Sequence, residues 1–375
     1  FADVDYDRET SVDIDEGNVL AVDAEQNTIA VLGHDSSGIF NGLSTLRWML
    51  ESSRAQLKEA VITDAPDTLY RGIVEGFYGE YTFEERMDLI EFIGPLKMNT
   101  YIYGSKSDPY HNGQWKEPYP QDKISQIAQL VECGKKNNVE LVWTAHVGGH
   151  IDMGSQADYD ALTAKFDQLY DVGVRQFGLF YDDAGTDNTY LTEFINKLNQ
   201  EYIHKKEGVK SLIVCPQTYN KNQADDNYFA KLAAFDEDVQ IMWTGDAVIS
   251  EVSPSMMEYI ESKIHRPAYI WWNYPVNDLG LGAQLLVGET VGLSTEMGHM
   301  NGLVSNPMLQ AQASKFSLFS IADYSWNIAD FDRHASWENG VDYIIEEKDY
   351  AEAFKTFSAN NNQSVAELMD QSVES

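Results

Sequence analysis

Cysteine is nearly absent: Cys133 and Cys215 are the only two in 375 residues. They fall on what read as a helix and a buried strand, so no disulfide framework is expected, and two thiols are too few for a structural zinc site. That leaves the compartment open. Long apolar runs are missing too. No stretch approaches the roughly 20 uninterrupted apolar residues of a membrane span, which predicts a soluble chain with no membrane insertion. Positive charge is scarce, with 26 Lys and Arg against 60 Asp and Glu and a formal net charge of −34. Such a field repels nucleic acid and anionic membranes and slows the approach of polyanionic glycans. Its simplest reading is solubility. The stretch from Phe1 lacks an initiator Met, a basic segment and an apolar segment after it. It reads as an interior start, so any signal peptide is expected to lie outside this sequence.

Apolar residues make up 43% of the chain and aromatics 12%, ample for a buried core, and the length suggests one large domain with a smaller companion. Residues 1–67 read as a small α/β domain. Asn18 to Asp23 and Thr28 to Leu32 flank the turn-prone Glu25-Gln26-Asn27 as in a hairpin. From Ser37 to Leu50, the residues Ile39, Phe40, Leu43, Leu46 and Leu50 recur at helical spacing. Asp64-Ala65-Pro66-Asp67 reads as a linker, because Pro66 holds the preceding residue extended.

From Leu69 the pattern becomes short β-type runs, each followed by a longer helical stretch. The runs are Tyr70–Phe77, Thr100–Gly104, Glu140–His146, Gln176–Asp183, Ser211–Gln217, Gln240–Gly245, Ala268–Tyr274 and Val291–Glu296. Between them lie helical stretches such as Phe83–Ile93, Ile124–Lys136, Tyr159–Tyr170 and Leu191–Tyr202. Eight repeats within roughly 250 residues match a (β/α)8 TIM barrel, placed at 68–326. A doubly wound sheet usually has fewer strands and a Gly-rich first turn, whereas the first strand here ends in Glu75-Gly76-Phe77-Tyr78-Gly79. After Trp326 a helical, polar segment (327–375) carries Trp337, Val341, Tyr343 and Ile344 on one amphipathic helix. Asn360-Asn361-Asn362-Gln363 is a break, and the end at Ser375 reads as cutting into a helical bundle.

In such a barrel, catalytic groups sit where strands run into the following loops. Polar residues collect there: Glu75 and Tyr78, then Lys106-Ser107-Asp108, His146, Asp182-Asp183, and Gln217-Thr218-Tyr219-Asn220. Further along come Asp246, Trp271-Trp272-Asn273 with Asp278, and Glu296. Two adjacent carboxylates cannot both ionise easily, so one pKa is expected to rise while the other stays low. That would place a proton donor beside an anion, as acetal hydrolysis requires. The pair alone could equally be an acidic helix start or a divalent-metal site. Trp271, Trp272, Asn273 and Asp278 offer aromatic faces and hydrogen-bonding groups suited to a sugar, although tryptophans also plug barrel walls. His146-Val147-Gly148-Gly149-His150 has metal-like spacing, but its glycines disfavour a helical zinc motif. Gly280-Leu281-Gly282 lacks the context and third glycine of a nucleotide loop and reads as a flexible loop.

At these same residues the chain resembles glycoside hydrolase family 84, the O-GlcNAcase and bacterial β-N-acetylglucosaminidase family. The matching segments are RGIVEGFYGE from Arg71, KMNTYIYGSKSDPYH from Lys97, FYDD from Phe180, CPQTYNK from Cys215, IMWTGDAVIS from Ile241, RPAYIWWNYPVND from Arg266 and SNPM from Ser305. They run in order through the barrel from about Leu69 to Trp326, and the flanking parts look like those of bacterial members.

The resemblance implies that Asp182 orients and polarises the substrate's 2-acetamido group. Asp183 would be the general acid, then the general base. Gly76 and Lys106 would contact the sugar hydroxyls or acetamido region, and Asn273, Asp278 and Asn306 would hold hydroxyls. Tyr219 would bond near the anomeric centre, Cys215, Val248 and Trp271 would line the acetamido methyl pocket, and Tyr78 would form a wall. The acetamido carbonyl would attack the anomeric carbon to give an oxazoline and net retention, with no enzyme nucleophile. Asp182's charge would help to keep Asp183 protonated. No cofactor or metal is expected, and the expected partner is a GlcNAc-bearing glycan or glycoprotein. A secreted or cell-surface bacterial protein is the expected setting.

The stretches HVGGHIDMG from His146 and AGTDN from Ala184 depart from the family's wording, as does Tyr81-Thr82-Phe83, where Pro-Trp is expected. The first two are expected near the barrel mouth, on the aglycone side. Two rival readings remain: a hyaluronidase-type glycan hydrolase, which the charge disfavours although repulsion is screened within about 8 Å, and a catalytically silent GlcNAc-binding barrel.

Overall fold

The computed structural model describes residues 13–52, 56–278 and 284–359. The glycine stretch 280–282, the break at 360–363 and both chain ends lie outside the described residues. The first unit is a three-stranded antiparallel sheet in the order β2-β1-β3, formed by β1 (Asn18–Asp23), β2 (Thr28–Gly33) and β3 (Ala60–Asp64). β1 and β2 form the expected hairpin, with Asp23 opposite Thr28, and α1 (Ser36–Ser52) follows it.

Eight parallel strands then close into a barrel. They are β4 (Thr68–Val74), β5 (Thr100–Tyr103), β6 (Glu140–His146), β7 (Gln176–Phe180), β8 (Ile213–Cys215), β9 (Gln240–Trp243), β10 (Tyr269–Trp272) and β11 (Met300–Ser305). The outer helices are α2 (Phe83–Ile93), α3 (Gln121–Lys136), α4 (Gln156–Asp171), α5 (Leu191–Glu201), α6 (Asp226–Ala233), α7 (Pro254–Ile264) and α8 (Ala311–Trp326). Local chemistry starts several of them. Thr82 and Glu85 form a reciprocal capping box on α2, and Ser253 caps α7 ahead of Pro254. The helical tail comprises α9 (Arg333–Ile344) and α10 (Lys348–Ser358). Trp337 and Val341 are buried as expected, and Tyr343 stacks on Trp48 of α1 at 4.7 Å.

One strand differs from expectation. Val291–Glu296 is not the eighth strand; that role belongs to Met300–Ser305, which closes the barrel between β10 and β4. The 291–296 segment instead runs outside, where Leu293 bridges to Val252, and Glu296 is exposed rather than at the barrel mouth. The expected linker is also more firmly held than its composition suggests. Asp67 receives the Ile328 amide at 2.8 Å and gives its own amide to the Trp326 carbonyl at 3.0 Å.

The first unit grips the barrel at the N-terminal ends of its strands, the end opposite the site described below. Arg71 is fully buried there, pairs with Glu16 and donates to the carbonyls of Thr68 and Lys97, while Asn99 donates to Glu16 at 2.7 Å. Lys97 pairs with Asp64 at 3.0 Å and lies over the Trp326 ring.

Candidate active site

The residues that the resemblance assigned to the site gather in one cluster at the C-terminal ends of the strands. Asp182 and Asp183 follow β7. Asp182 is buried, and its Oδ2 receives Lys106 Nζ at 3.0 Å. Its Oδ1 is buried without a hydrogen-bond partner among the described residues. Asp183 sits in the left-handed region at φ 57°. Its carboxylate accepts from the Tyr219 hydroxyl at 2.7 Å, the Tyr78 hydroxyl at 2.9 Å and Lys106 Nζ at 3.1 Å. Lys106 therefore bridges both carboxylates, with its ammonium 4.3 Å above the Tyr78 ring.

This bridge overturns the expected electrostatics. Burial pushes the Asp183 carboxyl up, but Lys106 and the Tyr219 and Tyr78 hydroxyls outweigh it and hold the carboxyl below the ordinary value. Repulsion from Asp182 was expected to raise the Asp183 carboxyl; the shared ammonium more than offsets it there. Lys106 itself is pushed down by burial and, more strongly, up by the two aspartates.

The opposite wall is an amide relay. Asn273 Oδ1 accepts from Trp271 Nε1 at 2.8 Å and from Asn306 Nδ2 at 2.9 Å, and its own amide donates to the Val248 carbonyl at 2.8 Å. Asn306 Oδ1 in turn accepts the Gly76 amide at 3.3 Å. Position 76 must be glycine, since a Cβ there would lie 2.1 Å from the Trp271 ring. Asp278 Oδ2 accepts the Tyr78 amide at 2.7 Å, and burial raises its carboxyl. The buried Cys215 thiol is pushed well up, first by burial and then by Asp182. Val248 and Tyr78 remain exposed at the rim.

Other polar strand ends serve elsewhere. Asp108 accepts from the hydroxyls of Tyr103 and Tyr119, Asp246 faces solvent beside Lys221, and His150 is exposed while His146 is buried against Asp182. Among the described residues, no group of three or more His, Cys, Asp or Glu could hold a metal ion.

Glu75 is a structural residue whose task its strand-end position did not reveal. It is fully buried, takes Arg86 in a two-pronged pair at 2.8 and 2.7 Å, and accepts from the Tyr101 hydroxyl at 2.9 Å. Glu75 thereby anchors the backbone next to Gly76. Breaking such a pair leaves a buried charge uncompensated and costs about 3–5 kcal/mol. Glu75→Gln is expected to lower the melting temperature by several degrees, read by calorimetry; an unchanged transition would mean that the pair contributes nothing net.

Comparison with known proteins places this geometry. A family model described as beta-N-acetylglucosaminidase matches residues 71–359, and one described as glycosyl hydrolase family 20, domain 2, matches residues 3–65. The chain is 26% identical over 271 residues to the Protein O-GlcNAcase of Mus musculus, covering 68% of this chain and 29% of that one. The solved structure named CpGH84B aligns with a TM-score of 0.86 at 34% identity, over 93% of this chain and 63% of that one. A mutant of the Thermobaculum terrenum O-GlcNAc hydrolase aligns with a TM-score of 0.74 at 28% identity, over 79% of this chain and 67% of that one. The chain thus spans less than a third of its mouse relative and under two thirds of CpGH84B. With the model match extending across the barrel and into the helical tail, the chain belongs to the β-N-acetylglucosaminidases of glycoside hydrolase family 84.

Proposed function

We propose that the chain removes terminal β-linked GlcNAc from protein or glycan with retention, using the substrate's own acetamido group as nucleophile. The observation that carries this reading is the buried Oδ1 of Asp182, which accepts no hydrogen bond among the described residues, beside a Lys106-held Oδ2. A buried carboxylate oxygen with no partner is costly unless a ligand satisfies it, and an acetamido N–H is a donor of the right kind. In the first step the acetamido oxygen bonds to the anomeric carbon as the glycosidic bond breaks. The bonding pair leaves with the aglycone oxygen, which takes a proton from Asp183, and Asp182 stabilises the positive N–H of the oxazoline. In the second step water gives its proton to Asp183 and attacks the same carbon, reopening the ring. Two inversions give retention.

The test is proton NMR during turnover of an aryl β-GlcNAc. β-GlcNAc is the expected first product; the α-anomer would exclude the oxazoline route, and no turnover would favour the silent binding barrel. A panel of GlcNAc-peptide, GlcNAc-terminated glycan and hyaluronan separates the substrate classes.

Sugar specificity is assigned to Asp278. One of its oxygens is fixed by the Tyr78 amide, so the carboxylate is aimed before substrate arrives. Charge-assisted hydrogen bonds to the 4- and 6-hydroxyls are worth about 1.5–3 kcal/mol each. An axial 4-hydroxyl, as in GalNAc, forfeits one of them, so a GlcNAc preference of at least roughly tenfold in kcat/KM is expected. Asp278→Ala should depress GlcNAc hydrolysis strongly and narrow that preference. A mutant keeping both its rate and its discrimination would remove Asp278 from the sugar.

A further inference from the structure

The HVGGH stretch is the part of the sequence that the reaction does not absorb, and its first residue lies behind the chemistry rather than out on the aglycone side. His146 ends β6 and is buried. Its Nε2 lies 2.8 Å from the main-chain carbonyl of Asp182 and 3.5 Å from Asp182 Oδ1. A carbonyl only accepts, so Nε2 carries the proton and the hydrogen bond is directed to the backbone. The carboxylate oxygen lies nearby without capturing that proton.

A second imidazole supports the first. His111 is fully buried, its ring centre 6.2 Å from that of His146 at a 37° tilt. His111 Nδ1 bonds the Thr144 carbonyl, and the His111 carbonyl receives the His146 amide at 2.9 Å. Burial, then proximity to His146, pushes the His111 pKa down to about 4. A neutral His111 adds no positive charge behind Asp182.

We propose that His146 is a positioning residue for Asp182. It fixes the carbonyl of the turn that carries both carboxylates and, together with Lys106 on Oδ2, leaves Oδ1 facing the substrate as acceptor for the acetamido N–H. The inference rests on the substrate-assisted reading above. The geometric demand is real because Asp183, the next residue, holds a left-handed backbone. A turn of that kind tolerates little drift before both carboxylates move together. An Oδ1 that swung onto an imidazole N–H would no longer be free for the acetamido group.

The experiment compares wild type, His146→Ala, His146→Gln, Asp182→Asn and the double variant Asp182→Asn/His146→Ala on two aryl glycosides, one N-acetyl and one N-trifluoroacetyl. Thermal melts run alongside. Fluorination weakens the carbonyl as a nucleophile, so the ratio of the two rates reports how strongly the acyl group participates. His146→Ala is expected to lower kcat about 10–100-fold, the scale of a misplaced reacting group, with a much smaller change in KM and an altered acyl ratio. His146→Gln, which retains a side-chain N–H, should recover most of the rate. In the Asp182→Asn background, His146→Ala should cost less than about twofold more, since residues acting as one unit are not additive.

A full multiplicative loss in the double variant would overturn the proposal, as would wild-type kcat in a folded His146→Ala. Should that variant not fold, His146→Met, similar in bulk and without the N–H, takes its place under the same criteria. Wild-type protein inactive on both glycosides would overturn the hydrolase reading and this inference together; an active wild type with an unimpaired variant overturns this inference alone.

Discussion

Asp183→Asn is expected to lose about 10²–10⁴-fold in kcat/KM on GlcNAc linked to an alkyl or serine hydroxyl, the usual contribution of a positioned general acid, and far less on a dinitrophenyl glycoside. An acidic phenol departs without help, whereas an alkoxide does not. The backbone should be indifferent to the exchange, because Asn tolerates the left-handed region about as well as Asp. In the unliganded site, Lys106, Tyr219 and Tyr78 favour the ionised form of Asp183. On our reading Asp183 takes up a proton from solvent as the substrate binds, because the aglycone displaces water from the exposed edge of this carboxylate and disfavours its charge. Rates against a series of leaving groups give the answer: equal losses on good and poor leaving groups would remove Asp183 from the acid role.

Asp182→Asn should slow both kinds of substrate, since on the proposed route acyl participation accompanies departure of either group. Lys106 occupies Oδ2 and leaves Oδ1 open. An amide in that place must present its NH2 either to the ammonium or to the acetamido N–H, two donors facing one another in both orientations. A charge-assisted hydrogen bond is worth about 1.5–3 kcal/mol, so a thiazoline that mimics the oxazoline should bind roughly tenfold to a hundredfold more weakly. Calorimetric titration reads this directly. Unchanged thiazoline affinity would show that Asp182 does not meet the acetamido group.

Much of the fold could be read from the chain because the barrel repeats itself. Seven of the eight strands lie where β-type runs precede helical stretches. The eighth escaped for a packing reason. It begins Met300-Asn301-Gly302, and Gly302 is needed there because a Cβ would lie 1.9 Å from the Tyr269 ring. A glycine dictated by a neighbouring strand erases the local strand signal, and the more apolar Val291-Gly292-Leu293 took its place in the reading. At the site, residue types at strand ends pointed to the mouth, and the family resemblance supplied the roles. What no spacing could reveal was a single ammonium shared between Asp182 and Asp183, because Lys106 arrives from the loop after β5, 77 residues before Asp183, as large sequence separations in barrels allow. The expectation that the pair would repel failed on that one residue. The paired glycines already disfavour a metal role for His146, but they do not reveal its actual partner, the main-chain carbonyl of Asp182.

The left-handed conformation of Asp183 also bears on how such a barrel can change over time. Glutamate is the chemically nearest substitute for the proposed acid, but it would have to adopt a backbone region costing a side-chain-bearing residue about 1–2 kcal/mol while overshooting by one methylene. Asparagine and glycine, which fit the turn, would both abolish the proposed proton transfer, with the amide relay around Asn273 and Asn306 still in place. On the proposed mechanism, replacements that keep the backbone at ease therefore cut turnover of poor leaving groups, and those that keep the carboxyl strain the turn. On the proposed mechanism, a change at this position would pass in one step from hydrolase to a folded reader of GlcNAc, and the acid would return only through aspartate itself.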